Sequence, residues 1–179
     1  MAIISRLETG RLAIVPFASC HLTERYVAWL NDKEVVRYSE QRHKPHTLKT
    51  CNQYWEAVKK SNNDLLAIEM RNLSADHIGN ITISYDANNK VADISILIGE
   101  KALWGKGYGS EAFAAVCGFL LKDSDIRKVT SGTMATNEGM LGIMRHVGMQ
   151  DDGYRKRAFL LDGKETGLVF GAIYRNESD

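Results

Sequence analysis

At 179 residues, 44% hydrophobic and 25% charged, the chain is long enough to bury the core of a mixed α/β domain unaided and too apolar to be disordered. Its 23 Lys and Arg against 22 Asp and Glu leave a formal charge of +1, so no global pull toward nucleic acid or a membrane surface is expected. Cys20, Cys51 and Cys117 form no C-x-x-C pair or zinc-like cluster with histidine, and no run approaches the ~18 apolar residues of a membrane span, so a metal-free, cytoplasmic protein is expected.

No repeat, low-complexity tract or linker interrupts the chain, which predicts a single domain over 1–179. Arg11 to Val15 reads as a short strand stopped by Pro16. His21 to Leu30 then carries Leu22, Tyr26, Val27, Trp29 and Leu30 at helical spacing. A second short helix is expected near Glu34 to Tyr38. A polar, basic loop follows, Ser39 to His46, before Thr47 caps a helix with Leu48, Cys51, Tyr54, Trp55 and Val58 on one stripe.

From Leu65 the period changes. Leu65 to Met70, Ile78 to Tyr85 and Val91 to Ile98 are short, rich in β-branched residues and separated by turn residues, as in an antiparallel meander. Ser110 to Lys122 returns to helical spacing through Phe113, Val116, Cys117 and Leu120, and Arg127 to Met134 reads as a strand. Asn137 to Val147 is a predicted helix ended by Gly148, and two strands joined at Asp162-Gly163 complete the chain.

The segment Ile94 to Phe113, I-S-I-L-I-G-E-K-A-L-W-G-K-G-Y-G-S-E-A-F, is the most informative. A strand enters a loop holding Gly105, Gly107 and Gly109, and that loop opens into an amphipathic helix. Glycine lets several N–H groups turn toward one point, and the positive end of a helix there favours a phosphate or diphosphate. A Walker A loop is excluded because no G-x-x-x-x-G-K-[ST] occurs. A Rossmann turn requires an acid ending the next strand, which Arg127 to Met134 does not offer.

With these residues the chain resembles the Gcn5-related N-acetyltransferase (GNAT) superfamily, whose acetyl-CoA motif is [RQ]-x-x-G-x-[GA]. Trp104 stands where that motif has Arg or Gln. W-L-N-D-K-E-V-V-R-Y, I-G-N-I and W-G-K-G-Y-G-S-E-A resemble the branch of ribosomal-protein N-terminal and amino-sugar acetyltransferases. The resemblance implies an α+β fold with a mixed, mostly antiparallel sheet of six to seven strands, helices on both faces, and a splay between the fourth and fifth strands. It implies acetyl-CoA as co-substrate, with Trp104, Gly105, Lys106, Gly107, Tyr108, Gly109 and Ser110 around the diphosphate and Leu97, Ile98 and Gly99 along the pantetheine. An amide near Ile98 would polarise the thioester carbonyl. Asn137 is either a pantetheine ligand or simply a helix N-cap.

An amine attacks a thioester only when neutral, and a Lys-like amine titrates at about 10.4, so a proton acceptor is required near pH 7. Alternation along Val91 to Ile98 puts Asp93, Ser95 and Leu97 on one face. The resemblance makes Asp93 the first candidate base, with Glu100 second and Glu69 third; a surface or salt-bridged carboxylate is the alternative. Met140 and Met144 stand where the family commonly supplies a Ser or Tyr acid. The loop R-H-K-P-H, Arg42 to His46, maps to the acceptor side and suits an anionic amino-sugar nucleotide, or is a solvated loop. The expected acceptor is a protein α-amine or an amino-sugar amine, with no nucleic-acid or membrane partner and a monomeric or homodimeric state. Two other readings are a non-catalytic acyl-CoA sensor, motivated by the missing Ser and Tyr, and a dinucleotide-binding oxidoreductase domain.

Overall fold

The computed structural model describes residues 4 to 175 except 73 and 75. One eight-stranded sheet, ordered β1-β2-β3-β4-β5-β6-β8-β7, forms its centre. The strands are β1 (Leu7–Glu8), β2 (Leu12–Pro16), β3 (Asp64–Met70), β4 (His77–Asp86), β5 (Val91–Ile98), β6 (Lys128–Met134), β7 (Gln150–Leu161) and β8 (Lys164–Tyr174). The two-residue β1 is the strand beyond the expected six to seven, held at the edge by pairing Leu7 with Ile14. All neighbours are antiparallel except β5 and β6.

Four helices cover the sheet: α1 (Glu24–Asn31), α2 (Leu48–Lys59), α3 (Tyr108–Asp123) and α4 (Glu138–His146). Thr23, Thr47 and Asn137 cap α1, α2 and α4 by accepting from the N–H groups of Tyr26, Thr50 and Met140. The residues at 34–38 form consecutive turns instead of the expected helix. Asp32 causes this: its Oδ1 takes the Glu34 amide at 2.9 Å, tightening the chain after α1 into an Asx turn.

Alternation along the strands divides the apolar residues between two faces. Ile81, Ile83 and Ile94 pack with Phe113, Val116, Cys117 and Leu120 of α3, all fully or almost fully buried. Leu65 and Ala67 pack on the other face with Phe17, Tyr26, Trp29, Leu30, Cys51 and Val58 from α1, α2 and their approaches. Helices thus lie on both faces, as the α+β expectation required. The Asp162-Gly163 turn joins β7 and β8 with φ of 52° and 75°, the left-handed pair that a two-residue hairpin turn demands.

Candidate active site

Strands β5 and β6 pair only over Val91–Asp93 and Lys128–Thr130, then part. Ser131 marks the fork, its hydroxyl donating to the Ile94 carbonyl at 2.7 Å. Gly99 N–H bonds Ile78 O on the β4 side, while Ile94 O faces β6. Backbone groups alternate in direction along a strand, so the Ile96 N–H and C=O and the Ile98 N–H point toward the side β6 has vacated. The Ile98 carbonyl is occupied: Trp104 Nε1 donates to it at 2.9 Å. That bond gives the residue replacing Arg or Gln a definite task, because it ties the glycine loop to the end of β5.

The loop then turns through Gly105, with φ of 72°, and Gly107, with φ of 82° at the N-cap of α3. A side chain at Gly107 would be strained in this left-handed conformation. Among the described residues, the amides of Gly105, Gly107, Tyr108, Gly109 and Ser110 have no main-chain acceptor in the turn, and those from Tyr108 onward begin a 16-residue helix. Unpaired N–H groups at the positive end of a helix favour a phosphate or other anion.

Sequence reasoning missed the clamp that holds this loop. Glu111 accepts from the Thr9 hydroxyl at 2.6 Å, the Arg11 amide at 2.9 Å and Arg11 Nε at 2.6 Å. The Arg11 guanidinium also donates to Lys106 O at 3.0 Å and lies 4.1 Å from the centre of the Tyr108 ring. The start of β2 therefore braces the first turn of α3. Burial pushes the Glu111 pKa up, but the Thr9 and Arg11 donors outweigh it and hold it below the ordinary range. An acid in the first turn of a helix was the available signal; its partner lay 100 residues away.

A cavity of about 1280 Å³ joins the fork, the glycine loop and the space under α1 and α2. Its lining includes Leu97, Ile98, Trp104, Gly105, Gly107, Tyr108, Gly109, Ser110 and Asn137. Gly99 and Lys106 are not in that lining; Gly99 is buried against Trp29, where a Cβ would fall inside the indole ring. Asn137 accepts from the Met140 amide at 3.2 Å and donates to Thr133 Oγ1 at 2.9 Å, so it caps α4 while bordering the cavity. Met140 borders it too, whereas Met144 is buried.

None of the three carboxylates expected as bases lies in the lining. Asp93 shares the face of Ser95, as alternation required, but is exposed and accepts from Thr130 Oγ1 at 2.8 Å. Although its side chain reaches solvent, the protein packed around the carboxyl desolvates it in part and raises its pKa, against the lowering effect of that hydroxyl. Glu100 accepts from Trp29 Nε1 at 3.0 Å, and Glu69 is bound to His21 Nε2 at 2.8 Å.

The end of the cavity under α1 and α2 has Tyr26, Tyr38, Tyr54 and Cys51 in its wall, with Glu34, Arg37, Lys44 and His46. Burial, then the neighbouring Cys51 and Tyr54, push the Tyr26 pKa upward and keep its hydroxyl protonated. Arg42 and His43 turn away to Glu40, so only Lys44, Pro45 and His46 of the R-H-K-P-H run reach the wall. Among the described residues no group of three or more metal-ligating side chains forms, and no helix is long and apolar enough to cross a membrane.

The forked sheet, the glycine loop and the start of α3 thus form one continuous site. Residues 11–150 match the family model described as an acetyltransferase (GNAT) domain, and the chain belongs to that family. It is by that membership an N-acetyltransferase. A comparison with curated protein sequences returned no match. Among solved structures, a GNAT-family acetyltransferase from Bacillus anthracis is 19% identical, covering 96% of this chain and 99% of that one at a TM-score of 0.82. Ribosomal-protein-S5-alanine acetyltransferase from Vibrio fischeri is 13% identical, with 97% and 98% covered and a TM-score of 0.80. Spermidine N-acetyltransferase from Vibrio cholerae, solved with CoA and spermine, is 13% identical, with 93% and 97% covered and a TM-score of 0.82. At these identities the likeness is one of fold.

Proposed function

We propose that the chain moves an acetyl group from acetyl-CoA to a primary amine by direct attack in a ternary complex, the 1–179 chain acting as one catalytic unit in the cytoplasm. The observation that carries this reading is the fork between β5 and β6, which opens beside unpaired amides at the start of α3. The diphosphate would lie on the amides of 105 and 107–110, with Lys106 as a solvent-side counter-charge. The pantetheine would follow Leu97 to Gly99 and reach Asn137. The Ile98 N–H would donate to the thioester oxygen as charge develops on it.

The acceptor would enter from the α1 and α2 side and present a peptide α-amine or an amino-sugar amine. The wall there holds two basic side chains, Arg37 and Lys44, against one carboxylate, Glu34, which suits an acceptor carrying an anionic group better than a polyamine. The deciding measurement is release of CoA thiol over a panel of amines. The panel spans peptides beginning Ala or Ser, amino-sugar nucleotides, polyamines and aminoglycosides. Turnover with a peptide or amino-sugar member is expected; binding of acetyl-CoA without turnover across the panel would instead identify a sensing module.

A further inference from the structure

The reaction has to dispose of an ammonium proton, and the candidate carboxylates are engaged outside the cavity lining. Of the five histidines, only His46 lines the cavity. His21 uses both ring nitrogens, accepting from Ala18 N at 2.9 Å and meeting Glu69 at 2.8 Å. His43 pairs with Glu40 in solvent. His77 is held neutral in an aromatic cluster, its pKa pushed down to about 3 chiefly by burial.

His46 is 9% exposed and clamped from three directions. Asn31 Oδ1 accepts from its N–H and Asn31 Nδ2 donates to its carbonyl, each at 2.9 Å. Ring Nε2 lies 3.1 Å from the carbonyl of Gln41. A carbonyl only accepts, so Nε2 carries the hydrogen, and in the neutral ring Nδ1 is left with a free lone pair. Nδ1 has no protein partner among the described residues. Nor is it among the fully enclosed orphan atoms, which are His77 Nδ1 and Asn80 Oδ1. A buried imidazole with a fixed tautomer and an open lone pair is thus built into the acceptor wall.

We propose that His46 Nδ1 accepts the proton of the incoming amine, directly or through one water. The proposal rests on the acetyl-transfer reading, since only an amine attacking a thioester needs this step. R–NH3+ passes one proton to Nδ1 and becomes R–NH2, whose lone pair forms the new C–N bond as the carbonyl pair moves to oxygen. Collapse of the adduct breaks the C–S bond, and the departing thiolate takes the second proton from the adduct nitrogen. The products are the amide, CoA thiol and protonated His46, which keeps its Nε2–H bond to Gln41 and returns its proton to solvent. The ionisable groups sharing this wall are Lys44 of the same loop, Glu34, Arg37 and Tyr38 after α1, Tyr26 of α1, and Cys51 and Tyr54 of α2. Glu34 shares Lys101, 3.0 Å away, with Asp32 at 2.8 Å, and Arg37 bonds Asp162 at 2.8 Å.

The test compares wild type, His46→Gln and Asp93→Asn with one turned-over amine from pH 6.5 to 9.5. His46→Gln should lose about 10²-fold in kcat/KM near neutrality. That deficit should shrink as rising pH neutralises the free amine, with acetyl-CoA affinity and melting temperature unchanged. A deficit constant across pH, no deficit, or a pH-dependent deficit in Asp93→Asn alone overturns the assignment. Should His46→Gln fail to fold, wild type treated with diethyl pyrocarbonate supplies the readout. Activity should fall in step with carbethoxylation of His46, mapped by peptide mass, and a saturating acceptor should slow both; full inactivation with His46 unmodified overturns the proposal. Wild type that binds acetyl-CoA yet acetylates no amine removes the transfer reading and this inference together, whereas transfer that survives His46→Gln unchanged removes the inference alone.

Discussion

Gly99 and Trp29 act as one unit: the glycine leaves the space that the indole fills, and the indole in turn holds Glu100 by a 3.0 Å bond. Gly99→Ala has to displace the ring or bend the end of β5. We expect it to destabilise the fold by about 1 to 3 kcal/mol, as overpacked cores do, which chemical denaturation will measure. Trp104 is a gentler case because it is 40% exposed. Trp104→Phe keeps an aromatic ring but removes the pyrrole half of the indole and with it the donor to Ile98 O, at a position where the exposed ring buries little. Loss of one bond worth about 0.5 to 1.5 kcal/mol predicts a roughly two- to tenfold rise in KM for acetyl-CoA, with little change in melting temperature. An equal kcat with an unchanged KM would show that the bond does not position the cofactor loop.

At the scale of elements, the connection that matters most joins β2 to the first turn of α3 through Glu111. Its carboxyl pKa is depressed in the folded protein, so the ionised form is the one that folding favours. The stabilisation is therefore complete above the unfolded glutamate value of about 4.3 and is lost as pH falls through the lower folded value. Glu111→Gln should flatten this acid limb of a stability-versus-pH curve and weaken CoA binding at neutral pH, because the loop loses its brace. A variant whose acid limb overlays wild type would assign the limb to other carboxylates. The helix itself was legible in advance: Phe113, Val116, Cys117 and Leu120 recur at helical spacing and are all buried. The turns at 34–38 were not, since apolar Val35, Val36 and Tyr38 imitate a helical stripe while Asp32, just upstream, captures the chain in an Asx turn.

For the molecule as a whole, ligand binding should report how the anion site contributes. A ligand that binds only the folded state stabilises it by RT ln(1 + [L]/Kd), about 2.7 kcal/mol at a hundredfold excess over Kd. CoA should therefore raise the melting temperature clearly, and pantetheine at the same concentration should do so far less, because it lacks the diphosphate that the unpaired amides would receive. Equal shifts from the two would place the binding energy in the fork between β5 and β6 instead.

Hydrophobic period, turn chemistry and glycine spacing are local properties, so the order of most elements and a glycine turn opening a helix could be read along the chain, while the two-faced covering of the sheet came from the family resemblance. Asp93 was correctly placed on the face of Ser95 by alternation alone. Alternation says nothing about how far a cavity extends along that face, and the structure leaves Asp93 with Thr130 beyond its edge. Glu100 and Glu69 looked free for the same reason; their partners, Trp29 and His21, come from a segment that only folding brings near. His46 looked like one basic residue in a polar loop until Asn31, 15 positions earlier, was found to hold it in the wall. The amino-acid sequence by itself determined most of the helices and strands and the glycine turn proposed to take an anion, because neighbours along the chain carry those properties; the edge strand β1 and the turns at 34–38 escaped it. Which titratable side chains remain unpaired and face the cavity was decided only in three dimensions, because each ionisable group is disposed of by a partner that sequence distance does not reveal.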